Sequence, residues 1–467
     1  MPINSFLYPG AKVTTGYDVA NSVRLNRGDS PYFQRTPSSA SNRRTWTWSG
    51  WIKRSNLGTI QTLFNGSDGS YPEIFYFNSD DTFIYHHDIS GSDYKLISSQ
   101  VFRDVSAWYH IVVAKDTTQS TETNRLKVYV NGSQITMNES ALGYPPQDYQ
   151  GAININDVHI VGNWKTNSYY IDGYLTEVAF IDGTQLDATS FGEFDSDSPT
   201  IWKPIDISGL TFGTNGFYLD FEDSSALGND VSGNNNDYTP NNLSATDQST
   251  DTCTNNFATL NPLLDVNATP TFTEGNLVFQ GTGSTNFVGA TIPVSSGKWY
   301  VEVKATTVNG SYPIIGVIDS QSYKRRDSTY FVGSDVNTSN PSGFAVFSNG
   351  DIYHNGDNNF SDLTTTYTSG DIIGMALDMD ASPNTLGFYK NGSLEVTINL
   401  DTAPSGSYMF ASSIHSSTSS AKGEFNFGNP TFSISSGNSD ANGYGNFEYS
   451  VPSGYYSLCT KNLAEFG

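Results

Sequence analysis

Carboxylates dominate the ionisable groups of this chain, 47 Asp and Glu against 23 Lys and Arg, and two of them working on one bond could hydrolyse a glycoside. In a retaining enzyme such a pair stands about 5 Å apart, which on a strand requires acids at alternate positions facing one cleft. Glu177 and Asp182 in "TEVAFIDG" come nearest, but their odd spacing puts them on opposite faces, and Asp182 falls at a turn. Glu177 is therefore expected to be a structural residue at a strand edge, and no residue is assigned a catalytic role. Nucleophilic catalysis has no better footing, since no Gly-x-Ser-x-Gly elbow lies between a strand and a helix pattern. His86 and His87 are neighbours on a strand pattern, so they point to opposite faces and cannot chelate one metal together. His110 in "WYHIVVA" reads as a packed strand residue.

Calcium is the metal this composition suits, because it takes about six to eight oxygen ligands from Asp, Asn and carbonyl groups. "NDVSGNNND" offers Asp230, Asn234, Asn236 and Asp237 on a glycine-containing loop. The spacing is not that of an EF-hand, and Asp and Asn also stabilise turns by bonding their own backbone. A calcium site and a self-bonded turn are both open readings, and no other cofactor is required. Loop aromatics are the next signal: sugar rings stack on Trp and Tyr while nearby acids accept hydroxyl hydrogen bonds. "GNWKTNSYYIDG" could thus present Trp164, Tyr169, Tyr170 and Asp172 to a glycan, the alternative being that Trp164 and one tyrosine cap the core at a sheet edge. "DSQSYKRRDSTYFVGSD" holds the one dense basic cluster, Lys324, Arg325 and Arg326, between Tyr323 and Tyr330. Arg and Tyr anchor many interfaces, so this loop is either a partner or receptor contact or simply solvated.

The elements that must carry these residues are strands. Charged residues are 15% of the chain against about a quarter in an average domain, while aromatics reach 13% and glycines number 43. The length of 467 residues is too great for one ordinary core. A net charge of -24 repels phosphate backbones and anionic membranes, which argues against nucleic-acid binding. Two cysteines, Cys253 and Cys459, make no disulfide framework, and Cys459 reads as a buried thiol. The start, "MPINSFLYPGAKVTTGY", lacks a basic region and a long apolar run, so no signal peptide is expected. Nowhere do about 18 successive apolar residues occur, so no membrane insertion is expected.

Strand patterns run from "RTWTWSGWIKR" to "GYLTEVAFIDG", and again from "GNLVFQGT" to "KGEFNFG". Trp46, Trp48 and Trp51 are placed in the first core. Each run contains one strand, Asn-Gly-Ser, strand hairpin, "LKVYVNGSQI" and "LGFYKNGSLE", where the Asn-Gly pair favours a type I′ turn at a sheet edge. The expected organisation is an all-β chain of two tandem antiparallel β-sandwiches: a segment 1–14, a sandwich over 15–223, a polar connector over 224–264, a second sandwich over 265–430 and a final segment 431–467.

The succession "WTWSGWIKR", "WYHIVVAKD", "LKVYVNG" and "IVGNWKTNSYYIDGYLTEVAFIDG" resembles a laminin-G-like, concanavalin A-type jelly roll. "GKWYVEVKA", "IIGVID", "GDIIGMALDMDASPNTLGFYKNG" and "GEFNFG" resemble a SPRY-type sandwich, whose end loops recognise partners. The concanavalin A-type resemblance admits glucanases, but their Glu-x-Asp-x-x-Glu arrangement is absent. With "NDVSGNNNDYTPNNLS" and "VPSGYYSLCTKNL", the combination resembles structural proteins of tailed, particularly marine, bacteriophages. That resemblance implies a non-enzymatic virion protein, made in the host cytoplasm, acting as a tail fibre or similar appendage that adheres to a host surface glycan or protein. A head decoration protein and a polysaccharide depolymerase are the alternatives. It also implies a homo-oligomer, a trimer being favoured, held to other virion proteins through residues 1–14. Deleting residues 1–14 is expected to leave both sandwiches folded and to abolish incorporation into particles, and a particle that still carries the truncated chain would overturn the anchor assignment.

Overall fold

A computed structural model describes residues 16–68, 71–164, 168–264, 270–281, 286–310, 312–321, 331–334, 343–363, 365–403, 405–414 and 420–467. The expected anchor segment and the basic loop with Tyr323, Lys324, Arg325, Arg326 and Tyr330 lie outside the described residues. Strand takes 45% and helix 5%, and two compact units divide between Thr254 and Asn255. The fold is all-β, two tandem antiparallel β-sandwiches.

Sheet I of the first unit runs Ser133–Gln134, Leu126–Val130, Trp108–Asp116, Thr45–Arg54, Gly173–Asp182, Ser22–Leu25, Gln248–Ser249 in spatial order. Sheet II runs Met137–Ala141, Ser92–Val101, Thr82–Ile89, Tyr71–Phe77, Gln61–Asp68, His159–Val161, Tyr32–Arg35, Thr239–Asn241. Alternation fills the space between them: Trp46, Trp48 and Ile52 face inward with Phe64, Phe75, Phe77 and Tyr85. Gly50 takes the inward position beside Trp48, where a Cβ would stand 2.6 Å from the indole ring. Trp51 does not join that core. Its odd register turns it to the other side of sheet I, where it is buried with Trp108, Tyr174, Phe191 and Trp202 in a second apolar layer. Sheet I is therefore covered on both faces.

The second unit pairs a sheet of Thr271–Thr273, Val278–Gly281, Ala421–Asn426, Lys298–Thr307, Ile372–Asp378, Thr385–Lys390, Ser393–Asn399 with one of Asn286–Gly289, Tyr408–Ile414, Ile314–Asp319, Gly343–Val346, Asp351–His354, Asp357–Asp362. Both expected hairpins form. Asn131 and Gly132 have φ of 46° and 80°, Asn391 and Gly392 48° and 82°, the doubly left-handed pair a type I′ turn needs. Each closes a strand at the edge of its sheet.

The stretch 224–264 is not a connector. Thr239–Asn241 adds to sheet II and Gln248–Ser249 to sheet I, Leu227 and Tyr238 enter the first core, and Ala258 and Leu260 enter the second. These strands are only two or three residues long and polar, so no apolar alternation marks them in the sequence. The last segment packs as well. Phe447, Val451 and Tyr455 cover Tyr300 and Ala376 on the outer side of the Lys298–Thr307 sheet. Glu302 holds them there, its buried carboxylate accepting the N–H groups of Glu448 and Tyr449 at 2.9 and 2.8 Å.

A Lys115–Glu73 ion pair is sealed in the first core, both side chains without solvent exposure. Glu73 also accepts the Tyr85 hydroxyl at 2.6 Å and the Ile153 N–H at 3.0 Å. Burial alone would raise its pKa, but Lys115, with His87 and the Tyr85 hydroxyl, holds it at about 2. Removing one partner of such a pair strands a charge in the core. Lys115→Met is expected to destabilise the first unit by about 3–5 kcal/mol, and the double variant Glu73→Gln, Lys115→Met to recover most of the loss, as read from urea unfolding midpoints.

Candidate functional site

Sheet II has one face on the core and one turned outward. Residues directly opposite on paired strands share a face, so the pairing of Thr62 with Tyr76, and of Asn65 with Ile74 and Ile160, sets all five on the side away from Phe64, Phe75 and Phe77, where all but Tyr76 are nonetheless buried. Leu63 and Phe64 are consecutive core residues because the ladder slips by one residue between Thr62 and Phe64. That bulge is what turns Thr62 and Asn65 to the same side.

The loop after His159–Val161 borders this face. Tyr169 is anchored by its carbonyl, which accepts the Thr62 N–H at 2.9 Å, and the Ile171 N–H donates to Gly162 at 3.0 Å. Trp164 and Tyr169, both half-buried, lie with ring centroids 5.6 Å apart. Tyr170 instead faces Tyr32 at 6.4 Å, a partner that sequence reasoning missed. Tyr76 joins the group: burial, with the nearby Tyr169 phenol, raises its pKa to about 12. Asp172 is only 8% exposed, and its backbone bonds Gln61 and Ser55, which makes it a wall residue. Three polar atoms on or beside this face have no hydrogen-bond partner among the described residues: Thr62 Oγ1, Asn65 Oδ1 and Asn163 Oδ1. The adjacent Leu63 and Phe64, which break the alternation, are the one sequence signal that could have pointed to them.

The four candidate calcium ligands do come together, around one another. Asp230 accepts the N–H groups of Tyr218, Ser232 and Asn236 at 2.8, 2.9 and 2.8 Å and the Ser232 hydroxyl at 2.9 Å. Asp237 accepts the Asp230 N–H at 2.9 Å. Asn234 and Asn236 donate their amides to the carbonyls of Gly213, Thr214 and Gly216, and Asn236 accepts from Arg35. These bonds close the loop by themselves. Among the described residues no group of three His, Cys, Asp or Glu side chains is placed to hold a metal ion.

Glu177 and Asp182 serve separate ends of their strand. Asp182 accepts Asn42, Asn154 and Asn215, while Glu177, in a left-handed bulge at φ 52°, takes the hydroxyls of Tyr218 and Tyr17. Five steps along the strand separate them by roughly 15 Å, beyond the reach of a carboxyl pair acting on one glycosidic bond. Ser49 and His110 form a close serine–histidine contact in the first unit, at 2.8 Å. The Trp202 indole N–H donates to His110 Nδ1 at 3.0 Å, so the ring proton sits on Nε2 and points at Ser49. Held in that tautomer, His110 cannot take the Ser49 proton. Burial lowers its pKa to about 3.

Residues 27–188 match the concanavalin A-like lectin/glucanases superfamily, in its laminin-G-type model, and this part of the chain has a concanavalin A-like lectin fold. No curated protein matches the chain. Among solved structures, the SPRY domain of human HERC1 is 19% identical, covering 36% of this chain and 96% of its own, with a TM-score of 0.29. A heptameric SAP-like pentraxin from Limulus polyphemus is 17% identical, covering 37% and 80%, TM-score 0.27. A carbohydrate-binding protein, so named provisionally, from Bacteroides ovatus is 14% identical, covering 48% and 59%, TM-score 0.33.

Burial raises the Glu177 pKa to about 7, helped by Asp220 and Glu222 and opposed by the two tyrosine hydroxyls. A carboxyl whose folded pKa lies above its unfolded value binds its proton more tightly when folded, so its contribution is full below about pH 4.5 and is lost as pH rises through about 7. Glu177→Gln is expected to match the native protein at pH 4 and exceed it by on the order of 2 kcal/mol at pH 8, measured by chemical unfolding at both values.

Proposed function

We propose that this protein is a carbohydrate-binding adhesion protein of a bacteriophage particle, a tail fibre or similar appendage that attaches to host-surface glycan without cleaving it. The observation that carries the binding half of this reading is the half-buried Trp164–Tyr169 pair beside the outward face of sheet II, on a lectin-type fold. Aromatic rings beside polar side chains such as Asn163 offer a sugar both a stacking surface and hydrogen-bond partners. The particle half rests on the resemblance of "NDVSGNNNDYTPNNLS" and "VPSGYYSLCTKNL" to tailed-phage structural proteins. The separation of Glu177 from Asp182 and the locked tautomer of His110 favour binding over hydrolysis. Assembly as a homo-oligomer, a trimer by preference, would multiply weak single-site contacts into firm attachment.

Purified protein is expected to be retained on host cells or their isolated surface polysaccharide with no reducing ends released and no change on adding a chelator. Trp164→Ala is expected to weaken retention by about tenfold, the loss of one stacked ring. Released sugar would mean a depolymerase. Loss on chelation would place calcium at the Asp230 loop. No retention at all would favour a decoration protein.

A further inference from the structure

We propose, resting on the glycan reading above, that the floor beside the aromatic loop selects uncharged, hydroxyl-donating saccharides and rejects acidic ones. The three unpartnered atoms define that chemistry. Asn65 has its amide orientation fixed, because Nδ2 donates to the carbonyls of Ile160 and Asn163. Its Oδ1 is therefore the atom left over, and it can only accept. Asn163 Oδ1 is likewise an acceptor, while Thr62 Oγ1 can do either. Thr62 and Asn65 have no solvent exposure and Asn163 has 6%, so none recovers a partner from bulk water. A buried polar atom left without a partner costs about 1–3 kcal/mol; two of these three stand on the strand Gln61–Asp68, and the third belongs to Asn163, whose carbonyl accepts the Asn65 amide.

A bound hydroxyl group removes that cost, since it can donate to Asn65 or Asn163 and exchange hydrogen bonds with Thr62. A carboxylate brings only lone pairs to a surface that already presents lone pairs, within a chain of net charge -24. The Tyr169 carbonyl accepts the Thr62 N–H, which sets the two residues side by side. Thr62 and Asn65 are without solvent exposure, so a ligand reaches them only as neighbouring side chains move aside, and the half-buried Tyr169 and Trp164 are free to make such a fast motion.

The test uses the full chain on immobilised neutral polysaccharides (dextran, laminarin, galactomannan) and acidic ones (alginate, polygalacturonate). Expected is retention on at least one neutral polymer, about tenfold above either acidic one. Thr62→Val and Asn163→Ala are each expected to weaken that retention about tenfold with a melting temperature equal to or above the native value, and Thr62→Ser to restore it. The stability readout matters because these atoms bond nothing among the described residues, whereas a merely structural role would lower the melting temperature. Equal or better retention on acidic polymers overturns the proposal. So does native affinity in both Thr62→Val and Asn163→Ala, in which case a loss with Trp164→Ala still leaves the glycan reading standing. Retention on no saccharide overturns both together.

Discussion

A backbone N–H taken out of water must find an acceptor, and where the chain is too irregular to form a ladder that acceptor has to be a side chain. In this protein carboxylates do most of that work. Asp230 closes the loop after the Phe217–Leu219 strand with four donors. Asp440 gathers the N–H groups of Asn442, Tyr444 and Ser457, the Ser457 hydroxyl and the Asn462 amide. Glu302 fastens the chain around Glu448 to the outer side of a sheet. These acceptors, together with apolar anchors such as Leu227, Tyr238 and Phe447, hold the polar stretches between strands against a core.

The acidic composition therefore has two meanings. As net charge it describes a field around the molecule, which repels other polyanions. Glu73, Asp81, Asp230, Asp251, Glu302 and Asp440 are buried, though, and some of them face buried Lys or Arg. These acids are engaged inside, on ion pairs and backbone donors.

What the sequence makes legible follows from the same division. Strands with apolar alternation, the two Asn-Gly hairpins and the pairing of Trp46 with Trp48 could be read directly, because period two and φ preference are local properties. Trp51 could not be placed, because the layer that buries it comes from residues 186–218, far along the chain. The stretch 224–264 was opaque for a different reason: its order comes from side chains bonding distant backbone, which leaves no periodic trace. At the candidate site, Trp164, Tyr169 and Tyr170 could be named from their loop, but Tyr32, Tyr76, Thr62, Asn65 and Asn163 become visible only through strand register and the bulge at Leu63. Asp172, an acid in a polar loop, gave no sign that it would be buried.

Ser22–Leu25 lies between Gly173–Asp182 and Gln248–Ser249 in sheet I. A chain made from its amino end must therefore carry that early strand with both edges unpaired until Gly173–Asp182 is synthesised, and with one edge unpaired until Gln248–Ser249 follows. The amino-terminal part of the first unit waits for the carboxyl-terminal part. Completion of the unit is a late event, and until then Val23 and Leu25, both without solvent exposure in the finished fold, have to be kept from other chains.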